Sequence, residues 1–317
     1  MLWGPPEAAG YLWPGSEHVA VRSNPTQLNG QREWFKIPRA DLVVFLHQQR
    51  PLRPVPALTT ILDTTPLRYN RNRLDRWAKA QFLRRVARSS RGILTISDFS
   101  SRCVEDDLDV PARRITKIGL PADGAQAERV LALRDGCVRQ DVALYVGLFL
   151  PHKNLTRLIE AFGRTSVRRQ GGQLLLVGGK HLAQPLRRSL DGDQRRYVTI
   201  REHCSQDELE RLYASSRLLV QPSLEEGFGL PVQEALASGL PVCASTGGAL
   251  PEVARGFAEH FDPTSLVEMA AAIDRAAERA DAVTDNGRSL SRAFLAGAPT
   301  VGQLAAEVQA AVAAHLA

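Results

Sequence analysis

The sequence has 317 residues, of which 44% are hydrophobic and 23% are charged. This composition excludes a mainly disordered chain, and the length favours two domains over a single core. No apolar run reaches the roughly 20 residues of a membrane-spanning helix, and the first residues lack the basic n-region of a signal peptide. The four cysteines are scattered without CxxC spacing, which argues against a disulfide scaffold or a zinc site and favours a reducing cytoplasm.

The net charge of +6 originates mainly in one segment of the first half. Between Arg68 and Arg91, nine basic residues accompany a single acid, Asp75. Apolar residues recur through this segment at helical spacing, namely Leu74, Trp77, Ala78, Phe82 and Val86. Two interpretations follow: either the apolar stripe packs on its own domain, or the helix makes a peripheral contact with an anionic membrane surface.

The first half, residues 1–135, is predicted to be a domain with a small parallel sheet. Residues 1–40 are rich in Gly, Pro and Trp and predict mostly irregular structure, with one strand at most in HVAVR. Buried strands are predicted at DLVVFL, PALTTILD and GILTIS, and helices over 68–91 and around SSRCVEDDL. The segment 121–136 is interpreted as the connection between the two domains.

The second half, residues 136–295, alternates short apolar runs with helical patterns. The runs are nearly continuous in Val, Leu and Ile, as in parallel strands that are covered on both faces. Leu155, Leu158 and Ile159 begin a spacing that is typical of an amphipathic helix. The pattern predicts a doubly wound, Rossmann-like α/β domain. The Ala-rich end, 296–317, is predicted to be a separate terminal helix.

Several catalytic motifs are missing from the sequence. It contains no GxxxxGK[ST] phosphate loop, no HExxH, no GxSxG and no GxGxxG after a strand. The acidic triplets Asp107–Asp109 and Asp191–Asp193 have a spacing that can hold a divalent cation at a diphosphate. Such triplets are common in charged loops and helix ends, so we expect no metal and no cofactor.

The first candidate site is the stretch YVGLFLPHKNLTRLIEAF, residues 145–162. A strand is predicted to end at Gly147 and a helix to begin near Asn154. Helix N-termini present free backbone N–H groups and a partial positive charge, and they therefore bind phosphates. Lys153 adds a full positive charge at the same place, which favours a bound diphosphate over a random surface lysine.

The second candidate site, PSLEEGFGLPVQEALASGLPV, has a more specific pattern. A strand is followed by a tight loop that holds Glu226, and Pro231 and Gly239 predict the start and the end of the next helix. Glu234 is expected in the first turn of that helix. Both carboxylates then lie at the carboxyl end of the sheet and can accept hydrogen bonds from pairs of hydroxyls. Alternatively, Glu234 only complements the helix dipole.

The motif EGFGLPVQE resembles that of the retaining family-4 glycosyltransferases of GT-B fold. The similarity extends over roughly 40–280, is strongest in the second half and is closest to the mannosyltransferase-like branch. It implies two Rossmann-like domains that face a cleft. It also implies transfer of a sugar such as mannose, with retention, from a nucleotide-sugar to a glycan or lipid-linked acceptor in polysaccharide or lipopolysaccharide biosynthesis. No nucleic-acid partner is expected.

The resemblance also implies a role for each matching residue. Lys153 would bind the donor diphosphate, Glu234 the ribose hydroxyls and Glu226 the hydroxyls of the transferred sugar, while the base would lie near Tyr197–Arg201. His47, after an N-terminal strand, matches a histidine that faces the sugar. The predicted catalytic residues are His47, Lys153 and Glu226. The predicted donor-binding residues are Gly147, Lys153, Glu226, Gly227, Phe228, Gly229, Leu230 and Glu234.

The sequence departs from the family pattern at three places. Leu148 stands where many relatives have an arginine, which leaves Lys153 with His152 at the phosphate, and Leu62 replaces the histidine of an HD pair. Nothing in 1–40 matches the first strand and glycine-rich loop of the family, so we expect an N-terminal domain that is truncated by some tens of residues. Two alternative hypotheses are a catalytically impaired nucleotide-sugar-binding relic and a GT-B epimerase, and the EGFGLPVQE spacing argues against the epimerase.

Overall fold

The computed structural model describes residues 2–4, 18–20, 41–46, 55–70, 72–178, 183–283 and 285–316. The chain divides into two compact units. The first comprises Met1–Pro121 together with Pro299–Ala317, and the second is Ala122–Ala298. In the described residues each unit contains one six-stranded sheet, and all the strand pairs are parallel. The predicted pair of Rossmann-like α/β domains is thereby confirmed.

The strands of the described residues are short and mostly buried. They are β1 (Leu2–Gly4), β2 (His18–Ala20), β3 (Val43–Phe45), β4 (Ala57–Thr60), β5 (Gly92–Thr95), β6 (Ile115–Lys117), β7 (Val142–Val146), β8 (Gln173–Val177), β9 (Val198–Arg201), β10 (Leu218–Gln221), β11 (Val242–Ser245) and β12 (Ala258–Phe261).

The helices alternate with these strands. They are α1 (Thr65–Tyr69), α2 (Arg73–Ser89), α3 (Asp98–Leu108), α4 (Gly124–Gly136), α5 (Leu155–Phe162), α6 (Ser166–Arg169), α7 (Ala183–Ser189), α8 (Gln194–Tyr197), α9 (Gln206–Ser215), α10 (Leu230–Ala237), α11 (Leu250–Ala254), α12 (Leu266–Ala282), α13 (Arg288–Ala296) and α14 (Val301–Leu316). Within the described ranges, none of them is long and apolar enough to cross a membrane.

The sheet of the first unit has the strand order β2-β1-β3-β4-β5-β6. Strand β1 lies between β2 and β3, with Leu2 paired to His18 on one side and to Val44 on the other. The expectation of at most one strand in residues 1–40, in HVAVR, is therefore wrong, because a three-residue strand is too short to show a recognisable period. The strand expected in HVAVR is confirmed at His18–Ala20.

The terminal helix α14 is part of the first unit. Val308 and Ala311 are buried against a cluster on the sheet that includes Leu58 and Leu94. The backbone N–H of Gly119 also donates to a carboxylate oxygen of Glu307 at 2.6 Å. The sequence predicted a separate terminal helix over 296–317. The structure instead shows that helix α14 covers one face of the sheet of the first unit.

Helix α4 is grouped with the second unit, although the sequence suggested a connection over 121–136 and a boundary after residue 135. Arg129 donates to both carboxylate oxygens of Glu210 on α9, at 2.7–3.2 Å. The buried Arg134 donates to the backbone carbonyls of Gly239 and Tyr213, at 2.7 and 2.8 Å. These bonds hold α4 to α9 and to the end of α10, so the division falls before this helix.

The sheet of the second unit has the order β12-β11-β10-β7-β8-β9. The chain starts in the middle at β7, runs outward through β8 to β9, and then returns to β10 on the other side. Ligands of open α/β sheets bind outside the carboxyl ends of the strands at this point of reversal. A ligand-binding site is therefore expected at the loops that follow β7 and β10.

Helix α2 carries most of the basic segment and packs on a different stripe from the predicted one. Leu83 and Ala87 are buried against β5 and α3, whereas 79% of Leu74 and 64% of Trp77 are exposed. Of the apolar residues that the sequence grouped together, Val86 is buried and Phe82 packs half-buried against the same cluster as Leu83. The other end of that predicted stripe faces solvent.

Candidate functional site

The loops after β7 and β10 meet at the point where the strand order reverses. After Gly147 the chain forms a 3-10 turn over Pro151–Lys153 and enters α5 at Asn154, as predicted. The side-chain amide of Asn154 donates to the carbonyl of Pro222, at 3.0 Å. The N–H of Leu224 donates to the carbonyl of His152, at 2.7 Å. These bonds fix the two loops against each other at one edge of the sheet.

This junction brings Lys153 and Glu226 into direct contact. The Lys153 Nζ lies 2.7 Å from each carboxylate oxygen of Glu226. The two side chains are only 15% and 12% exposed. An ion pair with little solvent access is held more firmly than a surface pair, because its hydrogen bonds are charge-assisted and poorly screened. The two residues, which the sequence assigned to separate motifs, therefore form one charged centre.

Two neutral donors hold Glu226 from the other side. The Gln221 Nε2 and the Ser223 Oγ donate to the same carboxylate oxygen, Oε1, at 2.8 and 2.7 Å. Both donor residues are almost completely buried, which leaves their side chains few other positions. These two donors were not predicted from the sequence, although polar residues at the end of a buried strand were a usable signal. With Lys153, these donors fix both the position and the charge of the carboxylate.

The loop after β11 supports the backbone of Glu226. Gly248 has a φ of 69°, and a Cβ at this position would lie 2.3 Å from the carbonyl oxygen of Glu226. The next residue, Ala249, donates its N–H to the same carbonyl, at 2.9 Å. This second glycine loop was also missed, because sequence spacing does not show which backbones approach each other. Only glycine allows this approach with this conformation.

We expect Gly248→Ala to damage the site more than its matched control, Gly256→Ala. Gly256 also has a positive φ, of 80°, but open space around its missing Cβ. The control should lower the free energy of unfolding by about 1–2 kcal/mol, the strain of a left-handed residue. Gly248→Ala adds a backbone clash and should lower it by about 3 kcal/mol or more. Denaturant unfolding measures both, and equal losses would contradict the close approach.

Glu234 lies on α10 and has its own partner. Tyr213 on α9, which is fully buried, donates its hydroxyl to a carboxylate oxygen of Glu234 at 2.8 Å. The helix begins at Leu230 after its N-cap Gly229, so Glu234 is in the second turn. The sequence-based prediction, which placed Glu234 in the first turn, is therefore wrong. Stabilisation by the helix dipole fades beyond the first turn, which weakens the alternative role for this carboxylate.

Burial changes the titration of three side chains here. It raises the pKa of Glu234, although the hydrogen bond from Tyr213 acts in the opposite direction. It also raises the pKa of Tyr213 well above the usual range, so the tyrosine stays a donor. Burial, and to a smaller extent the Lys153 charge, lowers the pKa of His152. His152 therefore adds little positive charge to the 3-10 turn near neutral pH.

The remaining predicted residues surround the same junction, with one exception. Gly227 is buried, Phe228 is half-buried and Leu230 is 50% exposed at the start of α10. Gly147 ends β7, and its N–H donates to the carbonyl of Val177 at 3.0 Å. His47 lies outside the described residues, so its predicted role remains a prediction.

The two acidic triplets have protein partners. Asp107 pairs with Arg68 and accepts a bond from Thr64, and Asp109 ends α3 in the left-handed conformation. Asp191 accepts from the N–H of Gln194 at 2.8 Å, and a carboxylate oxygen of Asp193 lies 3.7 Å from Arg168. Among the residues that the structure describes, no group of three or more His, Cys, Asp or Glu side chains could hold a metal ion.

Comparison with known proteins agrees with the fold. Residues 138–289 match the family model described as Glycosyl transferases group 1. A crystal structure of HepE from Anabaena in complex with UDP and glucose superposes with a TM-score of 0.69 at 18% identity, covering 94% of this chain and 86% of that one. The fold of the chain is GT-B-like. The matched family segment contains both loops of the junction and all of α10.

Curated relatives match just over half of the chain. An O-antigen chain mannosyltransferase B from Escherichia coli is 32% identical over 197 residues, which are 58% of this chain and 51% of that protein. An MMP alpha-(1->4)-mannosyltransferase from Mycolicibacterium hassiacum is 33% identical over 171 residues, 54% of this chain and 40% of that protein. The chain thus spans about half the length of the curated relatives it matches.

Proposed function

We propose that this chain is a cytoplasmic retaining glycosyltransferase of family 4. It would transfer a sugar, mannose in the first instance, from a nucleotide-sugar to a glycan or lipid-linked acceptor in polysaccharide or lipopolysaccharide assembly. The observation that carries the proposal is the Lys153–Glu226 centre at the reversal point of the second sheet, inside the segment that matches glycosyl transferases group 1. The mannosyltransferase relatives support the choice of sugar.

The charged centre suits both halves of such a donor. The Lys153 ammonium and the free N–H groups at the start of α5 supply positive charge for the diphosphate. This charge becomes more important as the bond to the sugar breaks and negative charge grows on the leaving group. The Glu226 carboxylate accepts hydrogen bonds from the hydroxyls of the transferred sugar. Because Gln221 and Ser223 already fix this carboxylate, it needs little rearrangement to bind them.

The rest of the donor is assigned by extension from this centre. Glu234 would accept hydrogen bonds from the two ribose hydroxyls, held in orientation by Tyr213. The base would lie near Tyr197–Arg201, which includes strand β9 at the edge of the same sheet. By the resemblance, His47 is assigned to the transferred sugar. The HepE structure, which has this fold, contains UDP and glucose, and this supports a nucleotide-sugar as the donor.

Transfer assays with a panel of nucleotide-sugars test this function directly. The panel should vary both base and sugar, with a polyprenyl-diphosphate-linked oligosaccharide as acceptor. We expect one donor to be preferred and the product to have the anomeric configuration of the donor, determined by NMR from its one-bond C–H coupling. An inverted product would rule out the retaining mechanism, and nucleotide binding without transfer would point to a binding module.

We further expect transfer to continue in EDTA. The positive charge at the diphosphate is assigned to Lys153 and to backbone N–H groups, so chelation should leave the turnover number within about twofold of its value without EDTA. The measurement is the initial transfer rate with EDTA, with EDTA plus excess Mg²⁺, and with EDTA plus excess Mn²⁺. A complete loss that either cation restores would require a metal site and would show that the metal-free mechanism is wrong.

A further inference from the structure

Helix α2 has an exposed face that the catalytic proposal leaves without a role. Six side chains at spacings of three and four residues lie along this face, and we call them the outer stripe: Leu74, Trp77, Ala78, Gln81, Arg85 and Arg88. The spacing places them on one side of the helix. The opposite side holds the buried Leu83 and Ala87, which anchor the helix to the first unit.

The outer stripe is apolar at its beginning. Leu74 is 79% exposed and Trp77 is 64% exposed, and Ala78 beside them is exposed as well. Single exposed apolar residues are common, but a leucine and a tryptophan one helical turn apart form a small apolar surface. The helix start itself is well formed, because the side chain of Asn72 accepts from the N–H groups of Leu74 and Asp75. The exposure is therefore a property of a regular helix.

The end of the outer stripe is basic. Arg85 and Arg88, with Gln81 and Arg84, line an open depression of about 340 Å³. In the part of the chain that the structure describes, neither Arg85 nor Arg88 has a carboxylate within ion-pair distance. The acid of the segment, Asp75, is bound to Lys79 at 3.0 Å on a different side of the helix. The basic end is thus free to bind anionic groups.

We propose that the outer stripe docks the first unit on an anionic phospholipid bilayer. Tryptophan prefers the boundary between headgroups and acyl chains, and an adjacent leucine can bury apolar area there. Arginines about two to three turns further along the helix would lie among the lipid phosphates, which they bind with charge-assisted hydrogen bonds. A soluble polyanion would use the arginines but would gain nothing from Leu74 and Trp77. The combination therefore favours a membrane surface, and it would bring the enzyme to a lipid-linked acceptor.

Vesicle sedimentation tests the basic end of the stripe. The wild-type protein should sediment with vesicles of phosphatidylcholine and phosphatidylglycerol and not with phosphatidylcholine alone, and added salt should release it. The variant R85Q/R88Q should bind the anionic vesicles about 30-fold more weakly, since each basic residue at such a surface contributes about fivefold. The control R188Q/R292Q removes the same charge from exposed positions of the second unit and should bind like the wild type.

Fluorescence quenching tests the apolar end of the stripe. Trp77 is one of four tryptophans, and the other three, Trp3, Trp13 and Trp34, precede it in the first forty residues. Lipids brominated along the acyl chain should quench the wild-type emission, and W77F should lose most of that quenching while its melting temperature stays unchanged. The proposal is overturned if R85Q/R88Q and R188Q/R292Q bind vesicles equally, or if W77F leaves the quenching intact. Binding to heparin without binding to vesicles would instead identify a soluble polyanion as the partner.

Discussion

Lys153→Ala is expected to lower the turnover number for sugar transfer by roughly 100- to 1000-fold, the usual cost of removing one donor that stabilises charge in a transition state. The Lys153 Nζ is bound to both oxygens of Glu226 and is only 15% exposed, so water cannot fully replace its charge at the diphosphate. Lys153→Arg keeps the charge but changes its geometry, and it should recover part of the lost rate. Initial rates with saturating donor measure both effects.

Lys153→Ala also lowers the stability of the folded protein, and this effect must be separated from the loss of turnover. The variant leaves the carboxylate of Glu226, which is 12% exposed, without its cation, and this costs stability. The double variant Lys153→Ala/Glu226→Gln removes that unpaired charge and should recover stability but not turnover. Lys79→Ala, at an exposed ion pair of the first unit, is the control for removal of a lysine and should retain the wild-type rate. If the stabilised double variant regained activity, Lys153 would have only a structural role.

Much of the second unit could be predicted because its signals are local. The helix after Asn154 and the helix between Pro231 and Gly239 are each marked by residues at their ends, and the structure places them there. The apolar runs between them form the strands of the parallel sheet. Since parallel strands end at one edge of a sheet, residues such as Lys153 and Glu226 were expected at that edge from their places after strands.

Contacts between distant parts of the chain could not be predicted in the same way. No sequence pattern indicated that the lysine of one motif pairs with the glutamate of the other, or that Tyr213 lies against Glu234. Nor did helical spacing identify which stripe of α2 is packed, because two apolar stripes overlap and burial is decided by the sheet beneath them. Spacing along one element is a local property, whereas the choice of partner depends on the whole fold.

Removal of the Glu234 carboxylate is expected to weaken nucleoside diphosphate binding. Hydrogen bonds to a charged acceptor contribute about 1.5–3 kcal/mol each, so the loss of two of them in Glu234→Ala should raise the dissociation constant by at least about 100-fold. Titration calorimetry with UDP, GDP and ADP measures the effect and also identifies the preferred base. Glu234→Gln keeps the shape of the side chain and removes its charge, so it should show a similar loss.

The pH dependence of this binding identifies the role of Tyr213. Burial raises the pKa of Glu234, so the carboxylate is protonated, and nucleotide affinity is lost, as pH falls through a range above that of an ordinary glutamate. The hydrogen bond from Tyr213 holds this pKa down, and Tyr213→Phe should therefore move the loss of affinity to higher pH. Glu234→Gln has no carboxylate to titrate and should lack this acid-side loss altogether.

Glu210→Gln provides the matched control for Tyr213→Phe. Glu210 is buried and lies on α9, as Tyr213 does, but its carboxylate is bonded to Arg129 on α4. Loss of the Glu210 carboxylate therefore disturbs α9 without changing the contact to Glu234. This control should destabilise the protein and leave the pH profile of nucleotide binding in place. If Tyr213→Phe lowered the nucleotide affinity equally at every pH, the tyrosine would only support the helix. If Glu234→Gln bound nucleotides as well as the wild type, Glu234 itself would lie outside the site. A shift of the profile that is confined to Tyr213→Phe would show that the buried hydroxyl sets the charge of the carboxylate that binds the ribose.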